Sequence, residues 1–124
     1  MQEAGFTAAV LKKVREAGAY AWKVSDRFNA GVPDCWISGP KGDLWVEVKF
    51  VKQFPKRATV RPDLSALQRK WLEDRHDEGR QVAVVVGSPE GVVIYPKLDW
   101  VSPVTREAAV SRKQLIAWIL DIVA

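Results

Sequence analysis

Asp34, Glu47 and Lys49 are the residues of this 124-residue chain whose types and spacing could do chemistry. Asp34 closes the run Gly31-Val32-Pro33-Asp34, and Glu47 and Lys49 stand two apart in Leu44-Trp45-Val46-Glu47-Val48-Lys49. Side chains alternate faces along a strand, so Glu47 and Lys49 share one face while Val46, Val48 and Phe50 take the other. Between the two runs lies Ser38-Gly39-Pro40-Lys41-Gly42-Asp43, rich in residues that reverse a chain, which predicts an antiparallel pair. Folding back carries Asp34 towards Glu47 and Lys49. Two carboxylates and a lysine converging there suit a hard cation with a charged group beside it. The chain has one cysteine, Cys35, and one histidine, His76, so it offers no zinc spacing and any metal must be held by oxygen.

The elements that must position these residues are legible from periodicity. Residues 2 to 17 read as an amphipathic helix, with Phe6, Val10, Val14 and Ala17 at three- and four-residue steps and Gly18 as its stop. Glu3 falls on the same side, where a carboxylate either favours the helix dipole or is aimed into a site. Residues 19 to 25 alternate as a first strand, and 26 to 31 form a loop. Proline forces its predecessor towards extended geometry, so Val32-Pro33 delivers Asp34 at the start of a second strand, 34 to 37. A third strand spans 44 to 51.

Residues 63 to 79 read as a second helix with Leu64, Leu67, Trp71 and Leu72 on its buried side, and Gln68 there too. Ser65-Ala66-Leu67-Gln68 also matches a capping box, in which the glutamine only reaches back to the helix start. The β-branched run at 81 to 87 reads as a strand buried on both faces, and 92 to 95 as a fifth strand. Ser111 opens a last helix, about 111 to 122, whose wide apolar side either covers the sheet or forms a subunit contact. This order predicts a mixed α+β domain with one central mixed sheet of about five strands flanked by helices.

Composition narrows the classes. The length fits a single domain, 1 to 124, and the 48% hydrophobic and 27% charged fractions are those of a globular protein rather than a disordered tail. No run of eighteen apolar residues occurs and the N-terminus lacks a signal-peptide layout, so a cytoplasmic protein, without membrane partner, is the expectation. Gly39-Pro40-Lys41-Gly42 lacks the ending of a phosphate loop, which argues against a nucleotide cofactor. The net charge of +4 suits a polyanion. Its placement is more informative: from Lys49 to Pro62 there are five cations, Lys49, Lys52, Lys56, Arg57 and Arg61, and no acid. With Arg69, Lys70 and Arg75 on the second helix they form a surface for backbone phosphates. Phe54, within this segment, is either a base-stacking group or a loop anchor. His76 reads as surface, Cys35 as core, and Trp36, Trp45 and Trp71 as core packing.

Gly31-Val32-Pro33-Asp34 followed by Glu47-Val48-Lys49 resembles the PD-(D/E)xK nuclease signature. The closer likeness is to the branch of VRR-NUC domains and archaeal-type Holliday-junction resolvases, many from phages. There a helix glutamate and a glutamine after the second helix start accompany the motif, matched here by Glu3 and Gln68. The resemblance covers roughly residues 3 to 95 and implies a restriction-endonuclease-like core of αβββαβ order. It implies a Mg²⁺-dependent endodeoxyribonuclease, with Mn²⁺ able to substitute, in which Asp34, Glu47 and the Val48 carbonyl hold the ion. Lys49 would activate water or steady negative charge, Glu3 would bind a second ion or a water, and Gln68 would hold a water or a phosphate. Structure-selective cleavage of branched, junction or flap DNA is the expected activity, in the bacterial cytoplasm if phage-encoded, and a homodimer would suit junction resolution. The alternatives are a non-catalytic nucleic-acid-binding module and a nuclease subunit of a larger recombination or packaging complex.

Overall fold

A computed structural model describes residues 2–24 and 30–124. Helix α1 (Glu3–Glu16) leads into strands β1 (Tyr20–Lys23), β2 (Cys35–Gly39) and β3 (Gly42–Phe50). Helix α2 (Ala66–Asp77), strands β4 (Val82–Ser88) and β5 (Gly91–Pro96), two short 3-10 turns and helix α3 (Arg112–Val123) follow. The five strands form one sheet in chain order, antiparallel except for the parallel pair β3–β4. A parallel pair needs a crossover, and residues 51 to 81 supply it, with α2 laid across one face. The expected αβββαβ order and mixed sheet are therefore present. Ser25 and residues 26 to 29, expected as the end of the first strand and a loop, lie outside the described residues.

Alternation along the strands divides the interior into two cores. On one face Val46, Val48, Ala83 and Val85 pack with Phe6, Val10 and Val14 of α1 and Leu115, Ile119 and Val123 of α3. On the other, Val82, Val84 and Val86 pack with Leu72 of α2 and with Phe54, Val60 and Leu64 of the crossover. The β4 run is thus buried on both faces, as its β-branched composition requires. The wide apolar side of α3 covers the sheet, and its end meets the β2–β3 turn, where Lys41 N–H donates to the Val123 carbonyl at 2.9 Å. Gly39 has no room for a side chain there, because a Cβ would strike that carbonyl.

Two expectations need correction. Leu67 is 55% exposed and not on the buried side of α2, because that side runs through Gln68, Trp71, Leu72 and Arg75 and a helix turns Leu67 about 100° away from Gln68. Trp36 is half-buried against Trp45 rather than part of either core, whereas Trp45 and Trp71 pack against the second core as expected, and the three run as a row across one sheet face.

Candidate active site

Strand β2 begins at Cys35, paired with Val46, so β3 runs on past it with one edge open. In this strand Trp45 and Val51 donate their N–H groups towards β4, so Val46, Val48 and Phe50 turn theirs to the β2 side. Beyond Val46 carboxylates stand where a strand would be. Val48 N–H donates to Asp34 Oδ2 at 3.2 Å, and Phe50 N–H to Glu3 Oε1 at 3.2 Å. A strand residue turns its carbonyl to the same edge as its N–H, so the Val48 carbonyl opens beside Asp34.

Asp34 and Glu47 are locked together. Asp34 N–H donates to Glu47 Oε1 at 3.2 Å, while Gln68 Nε2 donates to Glu47 Oε2 at 3.0 Å. Lys49 Nζ stands 3.4 Å from the same Oε2 and donates to Gln68 Oε1 at 3.3 Å. Gln68 also makes the capping box, its Oε1 accepting from Ser65 N–H at 2.9 Å. Gln68 thus caps α2 and reaches Glu47 and Lys49 at once. Gly31 brings α2 within reach: its φ is +95°, and a Cβ there would sit 2.5 Å from the Leu67 carbonyl oxygen. Only glycine lets the backbone before Pro33 pass so close to the turn that carries Gln68.

Glu47 is 3% exposed, and burial, with Asp34 beside it, pushes its pKa from 4.5 up to about 7, against the pull of Lys49. Two carboxylates against one lysine leave a site short of positive charge. Among the described residues no three acidic, histidine or cysteine side chains gather round one point. The groups that could hold a cation here are the Asp34 and Glu47 carboxylates and the Val48 carbonyl. This set fits Mg²⁺, which is ordinarily held by one or two carboxylates and keeps several waters. Glu3 lies on the same open edge, two residues further along β3, with its carboxylate on the Phe50 N–H.

The basic segment is an irregular but anchored loop. Lys52, Lys56, Arg57 and Arg61 are exposed, as are Arg69 and Lys70 on α2. Lys70 pairs with Asp74 at 3.0 Å, and the Arg69 guanidinium lies 5.9 Å over the Trp100 ring. Phe54 is 1% exposed inside the second core, so it is the loop anchor and not a stacking group. The loop is further held by Glu90 Oε2, which accepts from Phe54 N–H at 2.8 Å, and by the Tyr95 hydroxyl, which donates to the Val60 carbonyl and accepts from Val104 N–H. Sequence reasoning passed over Glu90 and Tyr95. The signal for Glu90 was there, an acid in the turn that follows the fully apolar strand. Cys35 is buried, and burial and the nearby acids push its thiol up to about 12, as befits an inert core residue. His76 is half-buried.

No helix among the described residues is long and apolar enough to cross a membrane. No protein-family model matches this sequence, and no curated protein matches it. Among solved structures the chain is similar to Hjc, a Holliday junction resolvase from the archaeal hyperthermophile Archaeoglobus fulgidus. The TM-score is 0.53 at 20% identity, over 74% of this chain and 73% of that one. At that identity the likeness speaks for architecture, and what it establishes is that this chain has a restriction-endonuclease-like fold.

Proposed function

We propose that this chain is a metal-dependent endonuclease of the PD-(D/E)xK superfamily that hydrolyses DNA phosphodiester bonds at branched or junction structures. The observation that carries this reading is the linked set Asp34–Glu47–Lys49–Gln68 at the open end of β3, the strand that leads into a loop of exposed cations. The fold shared with a Holliday junction resolvase supports a junction or other branched substrate. Glu3 and Gln68 favour the VRR-NUC and archaeal-type resolvase branch, and a phage-type origin fits that branch.

Asp34, Glu47 and the Val48 carbonyl would hold Mg²⁺ or Mn²⁺. Such an ion, when bound, supplies acidity to an attacking water and polarises the phosphoryl oxygen. The protein's own groups do the rest. Lys49, 23% exposed, faces both Glu47 and solvent and places a positive charge where negative charge grows on the phosphate. Gln68 fixes the rotamers of Glu47 and Lys49 together, since its amide touches both. Lys52, Lys56, Arg57 and Arg61, with Arg69 and Lys70, grip backbone phosphates without reading sequence.

The test is cleavage of labelled linear duplex, single strand, flap, splayed arm and four-way junction with Mg²⁺, Mn²⁺ or EDTA. Metal-dependent cutting that favours a branched substrate is the expected result. Binding with no cutting under either metal would overturn the reading and leave a nucleic-acid-binding module. Sedimentation of the protein alone and with a junction would show whether a homodimer does the work.

A further inference from the structure

The sheet face that carries Asp34 and Glu47 continues, one step back along the strands, into a row of aromatic rings. Trp22 is the register partner of Trp36, and Trp36 of Trp45, so all three share the face of Asp34 and Glu47. The Trp36 and Trp45 ring centroids are 6.4 Å apart, and Trp45 meets Trp71 of α2 edge-on at 5.2 Å. The Arg75 guanidinium closes the row, 5.7 Å over Trp71. At the other end the row is bare: Trp22 is 59% exposed and Tyr20, on the same face, 69%. Trp36 Nε1 donates to Asp43 Oδ2 at 3.1 Å, and Ser38 Oγ donates to Asp43 Oδ1 at 2.6 Å. With its N–H engaged, the Trp36 indole offers a fixed ring face and no donor.

We propose that this row is a stacking platform for unpaired bases, so that the site takes a strand whose nucleotides are splayed out of the duplex beside the scissile phosphate. The proposal rests on the nuclease reading above and narrows its substrate. Three features favour a nucleotide over a second protein. The row is continuous with the site, since Trp36 stands two residues from Asp34 and Trp45 two residues from Glu47, a step of roughly 7 Å along a strand. That step separates groups that would hold a phosphate from rings that would hold its base. At the open end of the row the cross-strand neighbours are polar, Ser38 and Asp43, while the aliphatic side chains around Trp45 and Trp71 are buried in the second core and offer no anchor to a protein partner. Indole and phenol faces stack on any base, and so suit a reader of structure rather than sequence.

The experiment measures binding in EDTA, where nothing is cut, by anisotropy of labelled DNA. The probes are a blunt duplex, the same duplex with a single-stranded arm, and that arm with abasic sites in place of its first nucleotides. The proteins are wild type, Trp22→Ala, Trp22→Phe and the double variant Tyr20→Ala with Trp22→Ala. Both side chains are exposed, and thermal melts verify that the variants fold. Wild type should prefer the arm to the blunt duplex. That preference should fall about tenfold in Trp22→Ala, further in the double variant, and little in Trp22→Phe. On the abasic arm Trp22→Ala should have no further effect. No preference in wild type, or an equal preference in Trp22→Ala, overturns the platform. Loss of self-association in Trp22→Ala with the preference unchanged would make the face a dimer contact instead. Absence of cutting in Mg²⁺ with the stacking results intact would sink the nuclease reading alone.

Discussion

At the start of α3, Ser111 Oγ accepts from Gln114 N–H at 3.0 Å and Gln114 Oε1 accepts from Ser111 N–H at 2.8 Å. At the start of α2, Ser65 and Gln68 make the same reciprocal pair at 3.1 and 2.9 Å. There the likeness ends. Gln114 is exposed and does nothing more among these contacts, whereas Gln68 has Glu47 on its amide nitrogen and Lys49 on its amide oxygen. A glutamine at the third position of a capped helix is a local device worth about 1 kcal/mol. What turns one of the two into part of a charged site is the strand that lies beneath it. Function here is set by what the fold places opposite a residue.

The contrast can be broken from the strand side, with the largest effect. Glu47→Ala or Lys49→Ala should lower single-turnover cleavage in Mg²⁺ by roughly a thousandfold or more. Ser111→Ala should leave the rate unchanged while lowering the melting temperature.

A second break exploits the buried charge. Folding raises the Glu47 pKa from 4.5 to about 7, so the folded protein holds that proton more tightly than the unfolded chain. The stabilisation is present below pH 4.5 and lost as pH rises through about 7. In metal-free protein the stability of wild type relative to Glu47→Gln should therefore fall as pH rises from 5 to 8. Denaturant melts at the two pH values check the sign. Divalent ion should raise the wild-type midpoint at pH 8 and leave that of Glu47→Gln where it was.

Swapping the glutamines themselves sharpens the comparison. Gln68→Ala and Gln114→Ala should cost similar stability, about 1 kcal/mol each, but only Gln68→Ala should slow cleavage, by roughly 10- to 100-fold. Equal activity in the two variants would show that Gln68 only caps. The smallest effect belongs to the loop leading into α2. Lys56→Ala or Arg57→Ala should weaken binding alike for every DNA sequence and lower the salt slope by about one each.

Much of this was legible beforehand because it rests on local rules. The alternation of Leu44 to Phe50 fixed which side chains share a face, and both cores obey it. Pro33 set Asp34 at the mouth of β2, and the capping box was readable from four residues. What stayed hidden depends on distances between elements. Nothing local says that Gln68 can cap and reach Glu47 together, since that follows from Gly31 letting the chain pass against the Leu67 carbonyl. Trp36 read as core because large apolar rings are usually enclosed. The structure leaves it half open, since α2 covers only the β4 side of its face. Phe54 was undecided between anchor and stacking group because burial of a loop residue depends on what lies beneath it, here the second core.

The single parallel pair has a consequence in time. The β2–β3 hairpin joins neighbours in sequence and can close early, whereas β4 reaches β3 only after the crossover of residues 51 to 81 has been made and folded over. Asp34, Glu47 and Lys49 therefore meet first, and Gln68 joins them when β4 docks. On the ribosome Asp34, Glu47 and Lys49 emerge ahead of Gln68, and the clamp closes only once residue 88, the end of β4, has emerged.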